Sequence, residues 1–222
     1  MTVDTRRTFH THLDEIRGDI VRLAAAVTER IPAGTLTVLA PDAAAAQALI
    51  DADDELDALA LSIEDRCHRE LTLQQPMASD MRVLVTAIRL ASEIERSGDL
   101  VVNVAKASLR IAGEQIDPRV RGLLQRMSDE AVVLFRHAVD AYIDGDEVAA
   151  GALDRMDDAL DAVHRHYIAR VLDSCRDGFM EIHVAVQLAL VGRYYERIGD
   201  HAVNIGERVQ YMVTGSLAPM PR

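Results

Sequence analysis

Residues 95–103 read ERSGDLVVN and residues 196–204 read ERIGDHAVN. The two stretches share the pattern ERxGDxxVN at an offset of 101 residues. Upstream of each lies a second shared string, DDELD at 53–57 and DDALD at 157–161, at an offset of 104 residues. Two matches in the same order predict that the chain is a tandem of two similar units. We expect units at 1–113 and 118–215, followed by a short tail at 216–222.

Helical periodicity, interrupted mainly by prolines, fills the rest of the sequence. Asp42 suits an N-cap and Pro118 suits a first helical position. The sequence predicts an all-α fold of six long helices and no strand. The predicted helices span 5–31 with a ragged extension to 39, then 42–73, 78–111, 118–145, 146–176 and 179–213. Each unit is therefore predicted to be a three-helix bundle.

Composition excludes several classes of protein. The 222 residues are 49% hydrophobic, which suffices for a core, and only 4% aromatic. A net charge of −12 argues against a nucleic-acid partner. The chain has no apolar run long enough to insert into a membrane and no apolar stretch typical of a signal peptide. Two unmatched cysteines, Cys67 and Cys175, favour a reducing compartment and a packing role. We expect a cytoplasmic protein.

Acidic residues four apart recur in all four repeated strings, so each pair lies on one face of its helix. The pairs are Asp53 and Asp57, Glu95 and Asp99, Asp157 and Asp161, and Glu196 and Asp200. In the first unit both cross-helix combinations of acids are centred on Pro76. In the second unit they are centred on position 178.5, beside Gly178. An antiparallel hairpin therefore brings four carboxylates to one level in each unit.

Four level carboxylates repel one another unless a cation neutralises them. One solution uses the neighbouring Arg96 and Arg197, with solvent screening the remaining charge. The other is a multivalent metal, and an all-oxygen donor set suits Mg²⁺, Ca²⁺, Mn²⁺ or Fe³⁺. We expect a metal site in each unit, with all eight acids as ligands. Asn103 and Asn204 lie one turn further along the helix and are either outer hydrogen-bond partners or ordinary polar surface.

Gly98 and Gly199 lie between the paired acids, although glycine costs about 1 kcal/mol relative to Ala inside a helix. They provide either room for an ion or close helix packing. Asp65–His68 and Asp161–His164 have DxxH spacing, but they do not correspond between the units, and we interpret His164 and His166 as exposed helix residues. No phosphate loop, nucleophile elbow or nucleophile–base pair is present. No catalytic residue is predicted.

The doubled ERxGD, the preceding acidic pairs and the turn QPMASD at 75–80 resemble the PhoU family, over nearly the whole chain. The ending YMVTG at 211–215 resembles actinobacterial members. The resemblance implies two three-helix bundles related by pseudo-twofold symmetry, each with a multinuclear iron or zinc cluster. The eight acids are the implied metal ligands, four in each bundle. Pro32 and Gly34 depart from the continuous first helix of relatives and predict a kink or a break in the helix there. Ser97, where the second unit has Ile198, predicts looser packing of that turn.

The family role is negative regulation of the phosphate-starvation response. The resemblance implies a non-enzymatic adaptor, a homodimer, that links the ATPase subunit of the phosphate importer to a sensor histidine kinase. The alternative is a carboxylate-bridged metal enzyme, an oxidase or hydrolase, which would need a base or substrate pocket. A purely structural bundle would leave the level acids unexplained.

Overall fold

The computed structural model describes residues 2–216, with side chains from residue 6 onward. In that range the chain forms seven helices and no strand. The helices are α1 Thr2–Leu39, α2 Ala43–Asp51, α3 Asp53–Gln74, α4 Ser79–Arg110, α5 Pro118–Asp144, α6 Glu147–Arg176 and α7 Ile182–Thr214. The all-α prediction is confirmed, with α2 and α3 together forming the second of the six predicted helices. Of the predicted tail 216–222, all but Ser216 lies outside the described residues.

The predicted helix starts agree with the observed caps. The Asp42 carboxylate accepts hydrogen bonds from the backbone N–H groups of Ala44 and Ala45. Asp146 caps α6 in the same way, and Pro118 occupies the first turn of α5. Such caps satisfy N–H groups that have no partner within the helix, typically contributing about 1 kcal/mol each.

The prediction of a broken first helix is wrong, because α1 runs unbroken through Pro32 and Gly34. Proline inside a helix costs about 3 kcal/mol, so other interactions must outweigh it. Ile31 and Val38 are fully buried on either side of the proline. Gly34 lies so close to α4 that an added Cβ would come within 2.8 Å of Val101 Cγ1. Tertiary packing therefore overrides the local signal.

The prediction of one continuous helix over 42–73 is also wrong, because the helix breaks at Ala52. Arg30 of α1 donates a hydrogen bond from Nη2 to the Ala52 carbonyl at 2.7 Å. This bond ties α1 to the point where α2 ends and α3 begins. The break places Asp53 in the first turn of α3, where a carboxylate is favoured by the helix dipole.

The two units meet along α4 and α7, which pack antiparallel. Arg82 near the start of α4 bonds the carbonyl of Met212 near the end of α7, and Arg110 at the end of α4 bonds Gln187 near the start of α7. The first unit packs α1, α3 and α4 together, and the second packs α5, α6 and α7 together. One apolar core runs through both units.

Buried polar groups form hydrogen bonds between the two units. Ser97 Oγ lies 3.0 Å from His201 Nδ1, so the turn that was expected to pack loosely carries a contact between the units. Thr35 of α1 lies 2.6 Å from Ser128 Oγ and 2.7 Å from Tyr195 OH in the second unit. Buried hydroxyls need such partners, because leaving one without a hydrogen bond costs about 1–3 kcal/mol. The network therefore favours one arrangement of the two units.

Candidate metal centre

The first carboxylate cluster consists of Asp53 and Asp57 on α3 and Glu95 and Asp99 on α4. Burial raises the pKa of Glu95 to about 6, and the charges of Asp99, Asp57 and Asp53 contribute to the rise. Burial also raises the pKa of Asp99, with a contribution from Asp57 across the hairpin. The four acids therefore interact across the two helices, as their equal distances from Pro76 predict.

Cationic side chains lie near the first cluster, but they do not form a close ion pair with each of its acids. Arg30 Nη1 lies 3.7 Å from Asp53 Oδ1, and Lys106 lowers the pKa of Asp53 against the stronger opposing effects of burial and the neighbouring acids. Arg96 lies 3.9 Å from Glu93, a carboxylate outside the cluster, and also acts on Asp99. The pKa values of Asp53 and Asp99 stay raised despite these cations. The positive charges near the first cluster therefore do not cancel the negative charge of its four carboxylates.

The second carboxylate cluster consists of Asp157 and Asp161 on α6 and Glu196 and Asp200 on α7. Burial raises the pKa of Asp157 to about 7, and the charges of Asp161 and Asp200 contribute to the rise. Asp157 Oδ1 is buried and accepts no hydrogen bond. Glu196 behaves differently, because it forms an ion pair with Arg193, one turn earlier on α7.

Gly199 lets α6 approach α7 at the second cluster. A Cβ at this position would overlap Asp157 Oδ1 and would lie 2.7 Å from Leu160 Cδ2. At Gly98, in the first unit, the nearest atom is the methyl carbon Leu56 Cδ1 at 3.1 Å. Gly199 therefore makes room for an acid of the cluster, whereas Gly98 packs against apolar side chains. Close helix packing therefore accounts for both glycines, and room for an ion stays a prediction.

The predicted outer partners have different surroundings. Arg197 lowers the pKa of Asp200 against the effect of burial, so it acts on the second cluster. Asn103 is half-buried on α4, one turn beyond Asp99. Asn204 donates its side-chain N–H to Glu93 Oε2 at 3.2 Å, so its amide contributes to the contact between the two units.

Sequence reasoning missed three residues at these sites. A cavity of about 230 Å³ opens beside the first cluster, and its lining includes Asp57, Glu64, Ser92 and Glu95. Of these, Glu64 and Ser92 were not predicted to belong to the site. Arg193 was not predicted either, and it occupies the position of the second unit that is equivalent to Ser92. Applying the 101-residue offset to positions outside the shared strings would have found this difference.

The histidines and cysteines do not add a metal donor at equivalent positions of the two clusters. His166 is exposed as expected, but the interpretation of His164 as an exposed residue is wrong. His164 is half-buried near the second cluster, where burial lowers its pKa, and Ala60 occupies the equivalent position in the first unit. Cys67 is fully buried, and burial raises the pKa of its thiol to about 12. A thiol with such a pKa is a poor nucleophile, in line with the predicted packing role.

The donor chemistry at the clusters fits a hard cation. All eight ligand candidates are carboxylates, and the buried oxygens Asp57 Oδ1 and Asp157 Oδ1 have no hydrogen-bond donor. Among the described residues, no three acidic, histidine or cysteine side chains are already placed to hold a metal ion. Binding would therefore require carboxylates to rotate about their terminal torsions, which have broad energy minima.

The fold and the sites together define a doubled all-α bundle with a pair of facing acidic helices in each unit. The PhoU domain family model matches the chain twice, at residues 20–108 and 124–209. The chain belongs to the PhoU family.

Individual relatives agree with this assignment. The chain is 32% identical over 213 residues to the phosphate-specific transport system accessory protein PhoU homolog 1 of Mycobacterium tuberculosis, covering 96% of both chains. It is 27% identical to the PhoU homolog of Clostridium acetobutylicum, over 95% of this chain and 96% of that one. The crystal structure of the phosphate transport system regulatory protein PhoU from Streptococcus pneumoniae matches with a TM-score of 0.88 and 24% identity. That match covers 96% of this chain and 100% of the other, and shows a shared fold.

No helix in the described part of the chain is both long and apolar enough to cross a membrane.

Proposed function

We propose that this chain is a non-enzymatic negative regulator of phosphate uptake and of the phosphate-starvation response. The observation that carries the proposal is the match over 96% of the chain to a mycobacterial accessory protein of the phosphate-specific transport system. Both PhoU domains are present in this chain, so the similarity includes the complete two-unit arrangement. A regulatory role in phosphate transport follows from family membership.

The adaptor part of the proposal names two partners: the ATPase subunit of a phosphate importer and a sensor histidine kinase. Long helices expose large, regular surfaces of the kind that binding partners use. Cytoplasmic placement is part of the proposal, and the free thiols of Cys67 and Cys175 are typical of a reducing compartment. A homodimer is also proposed, and its mass in solution by light scattering tests it.

The metal part of the proposal assigns a multivalent cation to the carboxylate clusters. Its support is the donor chemistry and the mutual repulsion that contributes to the raised pKa of Glu95 and of Asp157. A bound cation would neutralise that repulsion and connect the two helices of each hairpin. Iron or zinc follows from the family resemblance, and the all-oxygen donors also suit Mn²⁺, Mg²⁺ or Ca²⁺.

Deletion of the gene in its own bacterium tests the regulatory role. We expect phosphatase activity and importer transcripts to rise in phosphate-rich medium, and a plasmid copy of the gene to restore repression. The control is a plasmid carrying Asp158→Asn, an exposed acid outside both clusters. Normal repression in the deletion strain, when no second homologue is encoded, would contradict the proposal.

Co-purification tests the adaptor. A tagged chain expressed at its natural level should retain the importer ATPase and the histidine kinase after crosslinking, and an unrelated tagged protein should not. Recovery of neither partner from a strain that still represses the regulon would contradict the adaptor mechanism.

The alternative, a carboxylate-bridged metal enzyme, predicts turnover. Purified protein loaded with Fe²⁺ or Mn²⁺ would then consume oxygen or hydrolyse a phosphoester, and Glu95→Ala would abolish the activity. We expect no turnover above that of the free metal ion. Turnover that depends on Glu95 would show that the chain is an enzyme and would contradict the adaptor proposal.

A further inference from the structure

The surroundings of the two carboxylate clusters differ at a repeat position next to the shared acids. The 101-residue offset that aligns Glu95 with Glu196 also aligns Ser92 with Arg193. Each lies one turn before its glutamate, on the side of the helix that carries that glutamate. One unit therefore has a small hydroxyl where the other has a permanent positive charge.

Arg193 directs that charge at the second cluster. Its Nη1 forms an ion pair with Glu196, which is only 16% exposed. It is also the largest of the charges that act on Asp200 in the lowering direction. One arginine thus serves two of the four acids. An added cation would have to compete with it or displace it.

The first cluster has open space at the same place. Ser92 lies in the wall of the 230 Å³ cavity, together with Asp57 and Glu95. A fifth carboxylate, Glu64, lines that cavity as well. The equivalent of Glu64 at the 104-residue offset is Ile168, which packs against the core.

These differences make the cavity side of the first site more negative than the equivalent side of the second. The first site has an extra acid in Glu64 where the second unit has Ile168, and it lacks the arginine that the second unit has at position 193. The cations Arg30 and Lys106 act on Asp53, which does not line the cavity. Attraction of a divalent cation depends on this local charge, and the effect is weakened by solvent at partly exposed sites.

We infer that Arg193 is the built-in counter-cation of the second carboxylate cluster, and that an added multivalent cation binds first at the cavity beside Ser92. The inference about the added cation rests on the proposed metal function. Arg193 in the second unit, and the open cavity beside Ser92 and Glu64 in the first, set the difference in affinity, so the two units are not interchangeable.

A reciprocal exchange tests the inference with Mn²⁺ as the probe. Titration calorimetry on metal-free wild type should resolve a tighter and a weaker site that differ by about fivefold in affinity, as expected for one charge at partly exposed groups. Arg193→Ser should tighten the weaker site, and Ser92→Arg should weaken the tighter one. Arg193→Lys keeps the charge and should behave like wild type.

Thermal melts of the same proteins without metal separate the two parts of the inference. Ser92→Arg should raise the melting temperature by about 2–4 °C, because it adds a counter-charge, and Arg193→Ser should lower it by a similar amount. If Arg193→Ser does not fold, Ser92→Arg alone carries the test.

The possible outcomes are distinct. Two equal Mn²⁺ sites that ignore both substitutions would overturn the inference and leave the metal proposal intact. No binding of Mn²⁺, Zn²⁺ or Fe³⁺ in the same titration would overturn the metal proposal, and the melts would then decide the role of Arg193. Unchanged melts together with unchanged affinities would overturn the inference entirely.

Discussion

Replacing Asp157 by asparagine is expected to raise the free energy of unfolding near pH 8 and to make it less dependent on pH. Folding raises the pKa of this carboxyl from 3.8 to about 7, because burial and the charges of Asp161 and Asp200 disfavour its ionised form. A group whose pKa is raised in this way binds more protons in the folded state. The folded protein therefore loses stability as the pH rises between about 4 and 7.

The size of the effect follows from the shift. A shift of this size corresponds to at most about 4 kcal/mol at pH 8, and water around the partly exposed cluster reduces this to about 1–3 kcal/mol. The Asp157→Asn substitution would remove the charge at nearly constant volume and leave the close contact with Gly199 in place. The raised pKa of Glu95, about 6, keeps part of the pH dependence in the variant.

Urea unfolding of metal-free protein at several pH values between 5 and 8 provides the assay. Wild type should lose stability across this range, and Asp157→Asn should lose less. Asp158→Asn is the matched control, because Asp158 is adjacent and exposed. Of the neighbouring acids that raise the pKa of Asp157, Asp158 contributes least, so this variant should stay much closer to wild type than Asp157→Asn. Equal pH dependence in wild type and Asp157→Asn would refute the argument from charge repulsion.

Further variants test the packing around the same sites. Gly199→Ala should destabilise the fold by about 1–2 kcal/mol, since its overlap with Asp157 outweighs the gain in helix propensity, whereas Gly18→Ala, in open space, should stabilise it by about 1 kcal/mol in thermal melts. Equal effects at both glycines would contradict the close-approach argument. Thr35→Val should lower the free energy of urea unfolding by about 1–3 kcal/mol, because it removes the buried hydroxyl that bonds both Ser128 and Tyr195, and an unchanged midpoint would contradict this.

The repeated strings were sufficient to predict the architecture, because a hairpin with acids equidistant from its turn must bring them level. The four acids that are equidistant in sequence from Pro76 do interact across α3 and α4, as that argument requires. Helix caps such as Asp42 were predictable because capping depends on residues within one turn.

The continuity of α1 and the break at Ala52 were not predictable from local sequence. Pro32 indicates a break, but the buried residues around it outweigh the local cost. Ala52 is a good helix former, and the break there accompanies a hydrogen bond from Arg30, a residue of another helix. Both depend on tertiary contacts that periodicity does not encode.

The backbone of the first turn was missed for a different reason. Gln75 and Ala78 both have positive φ, of 46° and 49°, on either side of Pro76 and Met77. Non-glycine residues rarely adopt this region, so composition gave no warning of it. The turn also exposes 80% of Met77.

The orientation of Asn204 depends on how the two units pack. Its repeat position next to the acid face left two alternatives, a role beside the second cluster or ordinary polar surface, but its amide bonds Glu93 of the other unit. Internal repeats describe what the units share, and a contact between units is by nature outside that description.

Metal content of the purified protein tests the central claim most directly, namely that the carboxylate clusters hold multivalent cations. Protein prepared without chelator or a His-tag should contain a multivalent metal, and chelator should lower its melting temperature because the metal binds the folded state. Glu95→Ala/Asp99→Ala should lose the metal of the first unit and keep the second site, and Glu196→Ala/Asp200→Ala should do the reverse. A wild type without metal above background, whose melt is unchanged by chelator and by added Mn²⁺, would contradict the account.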